Sequence, residues 1–529
     1  MGDAASVGRR GDGGEIGVFH FAPVVGYGWG ASFKSEYSVS GLSFSFQHET
    51  PASSLPATPV AQPAPLTVPM PAGEIFVVAH EYLEAGRLDA AERMIGHVLA
   101  VLPNQPEALH TKGLIAFRRN RIAEAAVLME RSIAVAGGGG GSGGKSVHFR
   151  NISEVYRLLT RLDEAVVAAR RAVSLDPADP LGPFNLAMVL FDRMEIDACI
   201  AAARHAIDLR GNLPQAHMKL GQALLLKGDM GPGWDEYEWR YQIPGAQPLM
   251  PKTERPQWDG RALGVGERVL LVGDQGFGDV VMFARYIPWV LQRCAEVAIA
   301  CSGEMEPTLA RMFPGVQLVT RWDVVPPFVF YCPFSGLPRL KGTRIDSIPA
   351  ATSYLRADPG RVKLWRDRLD TLVPAGLKRI AIAWAGRPTH NNDHHRTITL
   401  ETLAPLFEVA GIALISVQKG PAVAQIAGYK GRAPLIDLDA EIKDFEDTIA
   451  VLECVDLLIS VDTSVVHFAG ALGRPAWMMV PFAPDWRWLM GREDSPWYPS
   501  VRMFRHPQPK RWDLVVPRVA EALRGFVSG

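Results

Sequence analysis

Two stretches of this 529-residue chain hold residue types that can act on a phosphate-bearing substrate and a hydroxyl. The first is residues 461–474, VDTSVVHFAGALGR. It follows the apolar run 455–460, which reads as a buried parallel strand. Small side chains at Ser464, Ala469, Gly470 and Ala471 let a helix begin abruptly and pack closely. Asp462, Thr463 and Ser464 fall at its first turn, where unpaired N–H groups and the positive end of the helix dipole attract an anion. His467 lies one turn further in. The composition suits a diphosphate cradle, although most strand–turn–helix units serve only packing. The second stretch is Gly273-Asp274-Gln275-Gly276-Phe277-Gly278-Asp279. Its spacing, G-x-x-G-x-G, is not the dinucleotide fingerprint G-x-G-x-x-G, so a redox reading keeps only Glu304, after the next strand, in its favour. Gly276 and Gly278 open the turn. Asp279 begins a helix, where it is either a partner for the dipole or a general base for an acceptor hydroxyl.

A third polar loop, residues 384–396, reads WAGRPTHNNDHHR. His390, His394 and His395 raise a metal site, but Pro388 and the Asn-Asn-Asp run argue for a loop and no fourth ligand is evident, so no metal is expected. A loop after a strand suits a pyrophosphate better, with Trp384 and Gly386 at its start and His395 and Arg396 at its end. Gln418 and Lys419 end the next strand; Lys419 either neutralises phosphate or is solvated. Asp437-Leu438-Asp439 matches a metal-binding DxD superficially and reads as a cap or turn.

These residues need strand ends to hold them. Short apolar runs at 268–272, 297–300, 316–319 and 328–331 alternate with helical patterns, and a second series follows at 379–384, 413–417, 455–460 and 476–480. Such alternation predicts two doubly wound parallel sheets with a ligand cleft between them. A basic amphipathic helix is expected near 362–372, and a final one at 514–526. Trp486, Trp488, Trp497 and Tyr498, with Asp485 and Arg487, either pack the cleft or stack on a ligand.

Upstream, a repeat appears. The strings Gly86-Arg87-Leu88, Asn120-Arg121-Ile122, Thr160-Arg161-Leu162, Met194-Glu195-Ile196 and Gly228-Asp229-Met230 recur at a period of 34 residues, widened once by the glycine run at 137–144. Five residues after each string begins stands a small side chain: Ala91, Ala125, Ala165, Cys199 and Gly233. This pattern resembles tetratricopeptide repeats and predicts an α-solenoid of five units over 73–245. The glycine run lacks a preceding strand and reads as a loop, not a phosphate loop. Aromatics at 234, 237 and 241 are expected to cover the last repeat's apolar face. Residues 1–72, rich in Pro, Ala, Ser and Thr toward their end, read as a disordered or linker tail.

Composition closes off other classes. Hydrophobic residues make up 48% and charged residues 21%, with a net charge of −1, which gives no footprint for nucleic acid or an anionic membrane. The five cysteines have no CxxC spacing, and no apolar run reaches the ~20 residues of a membrane span. Arg9-Arg10 precedes glycines and acids, a poor export signal, so a cytoplasmic protein is expected.

The strings GDQGFGDVVMFARYIP, WAGRPTHNNDHHRTI, SVQKG, SVDTSVVHFAGALGRP and FAPDWRWLMGREDSPWYPS together make residues 268–523 resemble the C-terminal half of bacterial repeat proteins related to the heptosyltransferases, glycosyltransferase family nine. The domain order is similar to that of repeat-bearing protein O-linked N-acetylglucosamine transferases. The resemblance implies a GT-B fold of two Rossmann-like halves (246–372 and 373–529), the second binding the nucleotide. It also implies inverting transfer without metal or other cofactor, a base at Asp279, and diphosphate contacts at Asp462, Thr463, Ser464 and His467. Two departures stand out: the family's phosphate-contacting lysine is matched most nearly by His395 and Arg396, and Ser464 replaces a glycine often seen there. The expected activity is transfer of a sugar from a nucleotide-sugar donor to a hydroxyl of a protein or peptide held by the repeats. The alternative is a catalytically inactive scaffold for protein assembly.

Overall fold

The computed structural model describes residues 43–47, 67–137, 144–243, 253–349, 353–389 and 393–529, with backbone alone for 43–47, 67–73 and His394. Two compact units result, one over residues 27–223 and one built on 224–529.

The first unit opens with paired antiparallel strands, β1 (Ser43–Gln47) and β2 (Thr67–Pro71), which lie within the expected linker; the rest of that tail falls outside the described residues. Helices follow in pairs: α1 (Ala72–Glu84) with α2 (Leu88–Val101), α3 (Pro106–Arg118) with α4 (Ile122–Ala136), α5 (Ser146–Leu158) with α6 (Leu162–Leu175), and α7 (Leu181–Asp192) with α8 (Ile196–Leu209). The repeated strings form the turns inside these pairs. Their first residues, Gly86, Asn120, Thr160 and Met194, adopt left-handed φ of 72°, 59°, 63° and 61°. The N–H of the next residue then reaches back five positions, as in Arg87 to Tyr82 O (2.7 Å) and Glu195 to Leu190 O (2.9 Å), closing each helix with the same C-terminal motif. Ala91, Ala125, Ala165 and Cys199 are fully buried where paired helices cross. Odd-numbered helices also contact one another, α1 with α3 and α5 with α7, which gives the stack its inner side. There His110 and His148 stack with ring centroids 4.4 Å apart, and Asn151 Nδ2 meets His110 Nε2 at 3.0 Å.

The fifth pair is α9 (Pro214–Lys227) with α10 (Met230–Tyr237), and the boundary between the compact units falls inside α9. The physical reason lies in the aromatics expected to cap the solenoid. Trp234 donates its indole N–H to Thr343 O (3.1 Å) and packs on Trp486 (5.1 Å between centroids), so α10 is welded to the C-terminal unit.

That unit holds two all-parallel sheets. The first contains β3 (Leu263–Val272), β4 (Cys294–Ala300), β5 (Gln317–Val319) and β6 (Phe330–Pro333) in the order β5-β4-β3-β6. Its helices are α11 (Phe277–Ala284), α12 (Ile287–Leu291), α13 (Glu306–Met312) and α14 (Leu337–Leu340). After α15 (Pro359–Leu372) the second sheet is built from β7 (Lys378–Ala383), β8 (Ile412–Ser416), β9 (Leu435–Asp437), β10 (Leu457–Val461), β11 (Ala476–Val480) and β12 (Val501–Arg505). With them run α16 (Asp393–Arg396), α17 (Ala404–Phe407), α18 (Phe445–Glu453), α19 (Ser464–Leu472) and α20 (Val516–Ser528). Its order, β9-β8-β7-β10-β11-β12, is 3-2-1-4-5-6 along the chain, so the sheet reverses between β7 and β10. In such sheets the loops leaving the two strands at the reversal diverge and open a crevice. Strand interiors are wholly buried, as with Ile380, Ile382, Leu414 and Ile459, and α20 covers one face through Val516, Val519 and Leu523.

The helix expected near 362–372 exists as α15, but it belongs with the second half. Trp365 Nε1 donates to Asp447 Oδ1 (3.0 Å) and Arg361 pairs with Asp444 (2.6 Å), both acids lying at the start of α18. Among the described residues, no helix is long and apolar enough to cross a membrane.

Candidate functional site

The turns singled out in the two halves meet. Gly276 caps α11, which starts directly beyond the first sheet's central strand; Thr463 caps α19 beyond β10. The helices touch where Gly278 faces His467: a Cβ on Gly278 would lie 2.5 Å from His467 Cδ2, so only glycine permits this approach. Phe277 and Phe445 (4.6 Å), then Phe445 and Phe468 (5.1 Å), extend the seam.

Asp279 stands in the first turn of α11 with 22% of its side chain exposed. Burial pushes its carboxyl up to about 6, against the opposing pull of the neighbouring Arg487 cation, and Asp485 and Asp274 add to the rise. A carboxylate with that value is suited to accept a proton near neutrality. Its ion-pair partner is Arg487, from the loop after β11. The same guanidinium donates to Asp485 Oδ1 (2.6 Å) and Gln275 Oε1 (3.3 Å) and lies over the Trp486 ring (4.4 Å). Burial works against this cation; Asp279 and Asp485 more than offset it. Sequence reasoning placed Arg487 in an aromatic cluster and missed the pair. The sequence held no signal for it, because Asp485, two residues away, already offers the guanidinium a carboxylate.

At the start of α19, Asp462, Thr463 and Ser464 are partly buried, and Thr463 Oγ1 meets Ser460 Oγ at 3.2 Å. Burial raises the Asp462 carboxyl while Arg396 opposes the shift. His467 is buried, with Nδ1 at 2.9 Å from Tyr498 Oη and its ring beside Trp488. Burial, aided by Arg487, Arg285 and Arg396, holds it well below the usual imidazole value, so it is neutral and brings no positive charge to an anion.

The loop after β7 contains a single helical turn, α16, with Arg396 Nε 3.3 Å from Asp393 Oδ1. Gly386 lies against both: an added Cβ would be 2.4 Å from Asp393 Oδ1 and 2.8 Å from Arg396 Nη2. His395 is partly buried on the same turn; His390 lies outside the described residues, as does the side chain of His394. Three expected ligand contacts have other duties. Trp384 is a core residue whose Nε1 donates to Gln425 Oε1 (3.1 Å). Gln418 straps the loop by accepting from Trp384 N and Ala385 N (2.9 Å each) and donating to Ala385 O (3.0 Å). Lys419 is engaged by Asp439 Oδ1 (2.7 Å) and Ile442 O (3.2 Å). Asp437 and Asp439 form a turn at the end of the edge strand, with Asp439 N donating to Asp437 Oδ1 (3.0 Å). Among the described residues, no group of three or more His, Cys, Asp or Glu is arranged to hold a metal ion.

Two tyrosines just beyond the last repeat turn reach the first loop, which the sequence did not announce. Tyr237 Oη lies 3.4 Å from Gln275 Nε2, and Tyr241 Oη donates to Asp274 Oδ2 (2.8 Å).

The tetratricopeptide repeat model matches residues 151–179, across α5 and α6, and the chain carries such repeats. Protein FlbA of Caulobacter vibrioides (strain ATCC 19089 / CIP 103742 / CB 15) is 26% identical over 525 residues, covering 86% of this chain and 84% of its own. Among solved structures, MamA aligns over 31% of this chain and 91% of its own at 18% identity, with a TM-score of 0.27. YrrB, described as a TPR protein with an unusual peptide-binding site, aligns over 32% and 84% at 15% identity, also with a TM-score of 0.27.

Proposed function

We propose that residues 253–529 form a metal-independent, inverting glycosyltransferase of the GT-B type, and that the repeats present its protein or peptide acceptor. The observation that carries this reading is Asp279, a carboxylate tuned to about 6 at the end of the first sheet's central strand and facing the second sheet's loops. In the proposed reaction a nucleotide-sugar lies along the second sheet's strand ends, its diphosphate over the start of α19 near Arg396. Asp279 takes the proton of an acceptor hydroxyl as its oxygen bonds to the anomeric carbon. The bond from that carbon to the diphosphate oxygen breaks, and the nucleoside diphosphate leaves with the electron pair.

One observation favours a second reading, a repeat scaffold without turnover: the Asp279 carboxylate is already engaged by Arg487. Asp279→Asn separates the two. A transferase should lose turnover by about two to four orders of magnitude while still binding nucleotide in a thermal-shift assay. If no nucleotide-sugar of a broad panel is turned over by the unaltered protein, and partner binding ignores the substitution, the scaffold reading stands instead.

A further inference from the structure

Arg487 is buried, yet it joins residues of both halves: Asp279 and Gln275 on the first, Asp485 on its own loop. Its Nε has no hydrogen-bond partner among the described residues. The start of α19 is close by: Asp279 follows Gly278, which lies against His467 of that helix, and the His467 ring packs 5.5 Å from Trp488, the neighbour of Arg487. A guanidinium fork fits a phosphate as well as a carboxylate. We infer that Arg487 exchanges partners: it holds Asp279 until a diphosphate arrives at α19, then turns onto that diphosphate and leaves Asp279 free for the acceptor proton. Asp485, two residues away on the same loop, can travel with it. The exchange trades one anion for another on a buried cation, so the desolvated charge is never left uncompensated. Arg487 is thus a positioning residue that makes the base available only after the donor has bound. The inference rests on the transferase reading for its purpose, but its binding consequences stand apart from turnover.

The test is calorimetric titration of the full chain with inorganic pyrophosphate and with ADP, GDP, UDP and CDP. Arg487→Gln should weaken whichever of these binds by about tenfold or more, with Arg487→Lys in between. Asp279→Asn should tighten the same ligand several-fold, because a carboxylate competing for the guanidinium is gone. In the double variant Arg487→Gln with Asp279→Asn that gain should disappear; a gain that persists there is only lost repulsion between Asp279 and the anion, and it overturns the exchange. Equal affinity in Arg487→Gln, or unchanged or weaker binding in Asp279→Asn, overturns the exchange. Should Arg487→Gln fail to fold, Arg487→Lys takes its place in the double variant, where the gain from Asp279→Asn should shrink because a point charge cannot fork onto the diphosphate. If the pattern holds but no sugar is ever transferred, the transferase reading falls and the exchange survives. If the unaltered protein binds none of these probes, both fall.

Discussion

The Asp279 carboxylate on the first half is paired with the Arg487 guanidinium on the second, 208 residues further along the chain. The protonation of the proposed base therefore belongs to both halves at once, and any motion between them changes it.

The pH dependence of turnover follows. With the Asp279 carboxyl raised from 3.8 to about 6, kcat/KM should lose about tenfold per unit below pH 6. Folding stability titrates with the same group but in the opposite direction. A carboxyl raised by folding stabilises the protein fully below pH 3.8, and that contribution fades as pH rises through 6. Melting temperatures of Asp279→Asn, which cannot titrate, should lack this decline. An acid limb near pH 4 would remove Asp279 from the role of base.

The repeat unit has the opposite sign. Burial lowers His148 from 6.5 to about 4, partly offset by Glu107, and holds the stacked His110 well below its usual value. These groups contribute stability above pH 6.5 that is lost as pH falls toward 4. The loss is about 3 kcal/mol for His148 alone. Urea unfolding at a series of pH values should show it, and His148→Gln should flatten the curve.

Gly278→Ala should be costly although alanine is only one methyl larger. The new Cβ would press on the buried His467 ring, which is held by Tyr498 Oη, and about 1–3 kcal/mol of stability should be lost. The affinity for any nucleotide that binds should fall with it, because α11 and α19 both move. A substitution without effect on denaturation midpoint would show that the contact is loose.

Two glycines in the first pair of helices test the repeat turn itself. Gly86 has open space around its Cα but a left-handed φ of 72°, so Gly86→Ala should cost about 1 kcal/mol through strain alone. Gly96, also in open space but inside α2, should gain about 1 kcal/mol as alanine. Both are read from midpoint shifts in urea; equal signs would contradict the turn geometry.

The repeats were legible because one geometric requirement recurs. Each turn needs a left-handed residue followed, five positions after it, by a small side chain at a crossing, and sequence spacing records both. The sheets were legible where strands are buried on both faces, as at Ile380 and Ile459. Only the second sheet's edges were missed, where β9 is only partly buried and Arg502 and Arg505 break the apolar run of β12. The position of Asp279 could be read because it is local, the first turn of a helix after a strand. Arg487 could not, since its meaning comes from a partner 208 residues away. Nor could the sequence show that Lys419 and Gln418 bond within the protein: a polar residue at a strand end looks alike whether it meets a ligand or ties down its own loop.

The rings of Trp234, Trp486 and Trp497 lie 5.1–6.5 Å from one another, and one of them is stacked directly beneath the Arg487 cation. Indole emission is sensitive to a charge at that range. Were Arg487 to exchange partners as inferred, the emission of Trp486 should change with it, over the background of the chain's twelve other tryptophans.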